Sequence, residues 1–137
     1  MLGVKPYLSF NGNCKEAIDF YKDALDGEIL FTQSYGESPM KDMGPADYVM
    51  HCTLQVGENH IMACDSPQPA TAGNNVSLAV GVDDVEMADR MFEKMADGGS
   101  VTMPMQETFW AARFGMLVDK YGINWMFNCE KPHGQNA

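Results

Sequence analysis

Positive charge is scarce in this chain of 137 residues: 9 Lys and Arg stand against 19 Asp and Glu, a formal net charge of −10. Nucleic-acid affinity comes largely from Lys and Arg displacing counterions, so no nucleic-acid partner is expected. No apolar run reaches the roughly 18 residues of a membrane span. The N-terminus also lacks a basic segment followed by an apolar one. No membrane association is expected, and the chain reads as cytoplasmic. Cysteine is limited to Cys14, Cys52, Cys64 and Cys129, none in CxxC spacing, which excludes a zinc ribbon or a thioredoxin-type site. Cys52 and Cys64 are spaced to meet across a hairpin, but in a cytosolic protein two small buried thiols are expected in place of a disulfide. No nucleophile–base pair is legible: Ser34, Ser38, Ser66 and Ser77 sit in no elbow motif, and no Cys is recognisably paired with a His.

What the chain does have is internal repetition. Gly57-Glu-Asn-His-Ile-Met-Ala-Cys-Asp65 returns as Gly122-Ile-Asn-Trp-Met-Phe-Asn-Cys-Glu130. Asn13-Cys-Lys-Glu16 and Asp83-Asp-Val-Glu86 each pair a capping residue with a Glu three positions on, opening a helix. The first helix carries Ala17, Phe20, Tyr21, Ala24 and Leu25 on one face. The second carries Val85, Ala88, Met91, Phe92, Met95 and Ala96. Asp26-Gly27 and Asp97-Gly98 close them, glycine leaving the helix at little steric cost. The helices repeat at a wider offset than the Gly-led strands, so the first module is expected to hold the longer internal loop.

Apolar content of 45% in 137 residues argues for one folded domain, 1–137. Module one is expected over 1–66, a linker over 67–75, module two over 76–130 and a frayed tail over 131–137. The first module reads as strand 4–10, helix 15–25, strand 28–35, loop 36–47, strand 48–56 and strand 60–65. The second reads as strand 76–82, helix 84–96, strand 100–105, aromatic loop 106–113, strand 114–120 and strand 123–129. Two βαβββ modules of an α+β fold result, with open sheet faces expected to enclose a cleft.

That order, with Pro6-Tyr-Leu-Ser-Phe-Asn-Gly-Asn-Cys14, Glu16-Ala-Ile-Asp-Phe-Tyr21, Glu107-Thr-Phe-Trp-Ala-Ala-Arg-Phe-Gly115, Asp119-Lys-Tyr-Gly122 and Trp125-Met126, resembles the PhnB-like family of the vicinal-oxygen-chelate superfamily. Glyoxalase I, bleomycin- and fosfomycin-resistance proteins and extradiol dioxygenases belong to that superfamily. Members of the PhnB-like family also carry the label 3-demethylubiquinone-9 3-methyltransferase. No Gly-rich loop joins a strand to a helix as a nucleotide-like cofactor would need, and no cofactor is expected. The resemblance implies four metal-ligand positions, which map to Pro6, Ile61, Ser77 and Met126. Pro, Ile and Met offer no hard ligand and Ser a weak one, so no superfamily-type metal is expected. A slip of one residue would bring in Lys5 or Tyr7, His60 or Met62, and Trp125 or Phe127. His51, His60, Asp65 and Glu130 are the remaining candidates for a metal. Both histidines are expected to be hydrogen-bonded structural groups, and both carboxylates solvated strand ends. His133 lies in the tail.

A cleft binding an unidentified small molecule is the functional expectation, turnover being left open. Its candidate lining is Phe109, Trp110, Arg113, Met126, Asn128, His51 and Met62. A guanidinium beside an indole suits an anionic or planar ligand. Phe109 and Trp110 could equally cap the core or fill a dimer interface. On the last strand, Met126 and Asn128 are expected to face the cleft, with Trp125 and Phe127 under a helix. A homodimer is expected because open-edged modules often pair.

Overall fold

The computed structural model describes residues 2–131; the expected tail from 132 onward, with His133, lies outside them. The chain divides into two compact units that part between Thr71 and Ala72, within the stretch read as the linker. The first contains β1 (Tyr7–Phe10), α1 (Cys14–Ala24), β2 (Glu28–Ser34), β3 (Val49–Val56) and β4 (Asn59–Asp65). The second contains β5 (Leu78–Val82), α2 (Val85–Ala96), β6 (Ser100–Gln106), β7 (Ala111–Val118) and β8 (Asn124–Glu130). Each is a βαβββ unit of the expected α+β class, with an open four-stranded mixed sheet ordered β1-β4-β3-β2 or β5-β8-β7-β6. The β1–β4 and β5–β8 pairs are parallel and the others antiparallel. Among the described residues no helix is long and apolar enough to cross a membrane.

Each helix buries one stripe against its own sheet. Cys14, Ala17, Ile18, Tyr21 and Ala24 of α1 are buried, as are Ala88, Met91, Phe92 and Met95 of α2. Under α1 lie Cys52, Leu54, Ile61 and Ala63; under α2 lie Leu117, Trp125, Phe127 and Cys129. Phe92 meets Phe127 edge-on at 5.7 Å. Burial of such side chains is worth about 2 kcal/mol each and holds each helix to its sheet. Alternation along the strands turns their other residues to the sheet face that carries no helix, the open face.

Three local expectations change. Asn13 makes no side-chain cap bond to α1. The Asp65 carboxylate takes that place, accepting from Gly12 N at 2.8 Å, Cys14 N at 2.9 Å and Val49 N at 2.9 Å. Asp65 is therefore a buried helix cap and not a solvated strand end. Asp84, one residue beyond the expected Asp83, caps α2 by accepting from Met87 N at 3.0 Å. The exit from α1 places Asp26, not Gly27, at positive φ (53°), while Gly98 (φ 75°) takes α2 out as expected. Gly27 is required for another reason, since a Cβ there would stand 2.9 Å from the Gln55 carbonyl.

The β2–β3 connection, 35–48, is much longer than the β6–β7 connection, 107–110, as the unequal repeat offsets required. Only those four residues of the expected 106–113 loop lie outside strands. Gln106 ends β6, and Ala111 to Arg113 open β7.

The Gly57 and Gly122 echo runs one residue out of phase with the structure. Leu54 pairs with Ile61 in the first sheet, and Leu117 with Trp125 in the second; all four are buried. The equivalent of Ile61 is thus Trp125, not Met126. Gly57 leads a two-residue turn between Val56 and Asn59, whereas Gly122 closes a longer turn between Val118 and Asn124. One residue of difference reverses every side chain on a strand. Ile61 therefore packs under α1, and Met62 is the open-face counterpart of Met126.

Candidate functional sites on the open sheet faces

On the open face of the second sheet, Met126 pairs with Met116 and Ala79, and Asn128 with Phe114 and Gly81. Trp110 lies edge-on to Phe114 at 5.4 Å and to Phe109 at 4.8 Å. The loop holding them is pinned by Thr108 N donating to the Ala111 carbonyl and Ala111 N to Thr108 Oγ1, both at 3.0 Å. Trp110, Phe114, Met116, Met126 and Asn128 thus adjoin one another, beside the small residues Ala79 and Gly81. A Cβ on Gly81 would meet nothing within 4 Å, so space remains beside Asn128. The Asn128 Oδ1 is covered and has no hydrogen-bond partner among the described residues. A buried amide oxygen without a donor costs about 1–3 kcal/mol, and turning the amide over would strand its nitrogen instead. Phe114 and Met116 were not among the sequence candidates; the strand start at Ala111 is the signal that places them.

Arg113 is not brought to this face. It pairs with Cys129 on the helix side, and its Nε donates to Asp89 of α2 at 3.2 Å. The aromatic segment looked like one loop, and in a loop Arg113 would be free to turn toward Trp110. In a strand, alternation forbids it. Phe109 is 86% exposed at the loop tip.

On the open face of the first sheet, Tyr7 and Ser9 of β1 lie beside Met62 and Cys64 of β4, with His51 and Thr53 on β3. His51 is held at both ring nitrogens: Nδ1 is 3.3 Å from the Tyr7 hydroxyl and Nε2 is 3.2 Å from Thr53 Oγ1. Tyr7 and Phe31 flank its ring at 5.8 and 6.1 Å. Desolvation, then the adjoining Cys64 thiol, push the Tyr7 phenol up to about 12. A phenol that stays protonated donates to Nδ1 and leaves Nε2–H to donate to Thr53. The Cys64 sulfur is also 4.0 Å from Ser9 Oγ. Cys52 does not face Cys64; it pairs with Ala63 on the helix side, and all four thiols are free. Tyr7, Ser9 and Cys64 were missed because no sequence motif links them. Only the parallel β1–β4 register and the β3–β4 hairpin bring them to His51.

The four positions aligned with superfamily metal ligands do not fit a divalent ion. Pro6 precedes β1 and gives its carbonyl to Met62 N; Ile61 is buried under α1; Ser77 precedes β5; Met126 offers a thioether. Corrected for the one-residue slip, the open-face residues of the first and fourth strands of each unit include Tyr7, Ser9, His60, Met62, Cys64, Ala79, Gly81, Met126 and Asn128. Among them only His60 and Cys64 are common transition-metal ligands, and no carboxylate is present. Asp65 is engaged by three backbone amides, and Glu130 is exposed at the end of β8. Among the described residues no three of His, Cys, Asp and Glu lie close enough to share a metal.

Residues 3–127 match the family model described as 3-demethylubiquinone-9 3-methyltransferase. The chain is 34% identical to protein YjdN of Escherichia coli (strain K12), the match covering 93% of this chain and 95% of that one. The solved structure of protein PA1353 from Pseudomonas aeruginosa is 41% identical, with a TM-score of 0.86, over 96% of this chain and 100% of that one. A putative 3-demethylubiquinone-9 3-methyltransferase, PhnB protein, from Bacillus cereus is 29% identical, with a TM-score of 0.81, over 93% and 99%. At the level of fold alone, a glyoxylase/bleomycin resistance protein/dioxygenase domain from Frankia sp. EAN1pec superposes with a TM-score of 0.68 at 17% identity, over 96% and 99%. The chain therefore belongs to the PhnB-like family, the one whose model bears the 3-demethylubiquinone-9 3-methyltransferase description, and shares the fold of the glyoxylase/bleomycin resistance protein/dioxygenase domain.

Proposed function

We propose that this PhnB-like protein binds a small, largely apolar molecule carrying an N–H or O–H donor, on the open face of its second sheet and without a metal ion. The observation that carries this reading is the covered Asn128 Oδ1, unpartnered among the described residues, beside the Met116 and Met126 thioethers and the Phe114 and Trp110 rings. Aromatic walls with one orienting polar group are what small-molecule sites commonly show, and thioethers adapt to irregular ligand shapes. The probe is 8-anilinonaphthalene-1-sulfonate, an aromatic amine bearing an N–H, titrated against the native protein by fluorescence. Saturable binding is expected, weakened about tenfold in Asn128→Leu, the worth of one hydrogen bond, and abolished in Met126→Arg. Saturable binding that is equal in all three proteins would defeat the reading, as would no binding.

Two other activities have less support. A metal-dependent enzyme would need ligands such as His51 or His60, and His51 already spends both ring nitrogens on Tyr7 and Thr53. Elemental analysis of protein purified without chelator tests this: a stoichiometric transition metal that is lost in His51→Ala would establish it. The methyltransferase suggested by the family description needs a cradle for S-adenosylmethionine. The α1 N-terminus is filled by Asp65, and the α2 N-terminus is flanked by Asp83 and capped by Asp84. Calorimetric binding of S-adenosylmethionine at micromolar strength would revive that activity. A homodimer is also proposed, supported by the exposed Leu30 and Phe31 on edge strand β2 and Val101 on edge strand β6.

A further inference from the structure

The open face of the first sheet gathers a thiol, a phenol, an imidazole and two hydroxyls that the reading above does not use. Cys14 on the buried side of α1, and Cys52 and Cys129 under helices, are each at most 3% exposed, and burial raises the pKa of all three thiols. Cys64 alone is partly exposed. Its β3 neighbours follow from the hairpin register. The Cys52–Ala63 pair points to the helix, so His51 and Cys64, the residues that flank it, both point to the open face. The Tyr7 hydroxyl, 3.3 Å from His51 Nδ1, adjoins the Cys64 thiol, and Ser9 Oγ lies on its other side at 4.0 Å. Met62 and Phe31 give the surroundings an apolar character.

We propose that Cys64 is a nucleophile for soft carbon electrophiles of the α,β-unsaturated carbonyl class, with His51 accepting the thiol proton through the Tyr7 hydroxyl. In the step, the Cys64 sulfur bonds to the β-carbon and the C=C pair moves onto the carbonyl as an enolate. The S–H proton passes to the Tyr7 oxygen as the phenol proton passes to His51 Nδ1. The imidazolium then donates from both nitrogens, to Tyr7 and to Thr53 Oγ1, the partners it already has. Returning the proton by the same route to the α-carbon gives a saturated thioether. Atoms and electrons balance with no oxidant or further reactant. Disulfide exchange is a poorer assignment, because the other three thiols are buried between helix and sheet. The proposal stands on the first sheet only, and is independent of the ligand reading for the second.

The test is reaction of the full-length protein with N-ethylmaleimide at neutral pH, followed by intact-mass spectrometry and peptide mapping. One fast adduct is expected, on Cys64, forming at least about tenfold faster than on free glutathione, the low end of what a positioned base contributes. Tyr7→Phe and His51→Gln are each expected to slow it about tenfold, while thermal midpoint and final stoichiometry stay at wild-type values. Thiolate nucleophilicity responds to a proton acceptor in a way that simple exposure does not. First modification at another cysteine, a wild-type rate no faster than glutathione, or an unchanged rate in either variant would overturn the proposal. The wild-type comparison with glutathione holds even if a variant folds poorly.

Discussion

Asp65 was the residue most misjudged from sequence. A carboxylate closing a strand invites the expectation of a solvated charge, yet Asp65 is 1% exposed and accepts three backbone amides. Nothing local signals this, since its donors Gly12, Cys14 and Val49 are remote in the chain. Asp65→Ala is expected to lower stability by about 3 kcal/mol, read from the urea midpoint, because it strands buried N–H groups. Asn13→Ala should cost under about 0.5 kcal/mol, as Asn13 caps nothing, while Asp84→Ala should cost about 1 kcal/mol. Equal losses from Asn13 and Asp65 would contradict this division of labour. Tyr7 supplies a pH signature. Its phenol is raised from 10.0 to about 12, so the fold favours the protonated form. The stability this contributes is complete below pH 10 and drains away as pH climbs toward 12. Tyr7→Phe should remove a tyrosinate absorbance step near pH 12 and flatten that part of the alkaline unfolding limb.

The helices and most strands were legible because their apolar spacing is regular, and the order of elements followed from that spacing. Boundaries set by pairing were not. The stretch from Gln106 to Arg113, rich in aromatics and polar groups, reads as a loop, and only the β6–β7 and β7–β8 ladders show that its ends are strands. That difference moved Arg113 to Asp89 and brought Phe114 to the face with Asn128. Two glycines on these strands separate packing from recognition. Gly115 has no room for a Cβ, which would stand 2.7 Å from the Met105 sulfur and 2.9 Å from the Phe92 ring. Gly115→Ala is therefore expected to destabilise by about 2 kcal/mol through overpacking. Gly81→Ala faces open space, and its thermal midpoint should stay near wild type while it weakens binding of the anilinonaphthalene probe beside Asn128. A Gly81→Ala protein that unfolds early would show that the space beside Asn128 is not there.

For the whole chain, the duplicated pattern was enough to give two βαβββ units and the shared fold. The residues in the site positions needed the structure, because the repeat was read one step out of register. Light scattering on a sizing column is expected to give about twice the 15.1 kDa of one chain, and Phe31→Glu on the edge strand β2 to return it to one. A wild-type monomer would refute the dimer. The equivalent pairs Leu54–Ile61 and Leu117–Trp125 are spaced one residue differently along the chain, and that difference has a bearing on how such chains change over time. Turn length acts as a parity bit. Adding one residue to the turn that begins at Gly57 would present Ile61 and Ala63 to water and fold Met62 and Cys64 inward, exchanging the chemistry of one sheet face for the packing of the other. Substitutions alter these faces one residue at a time; an insertion in a turn trades them wholesale, so the two copies cannot be interchanged by aligning their glycines.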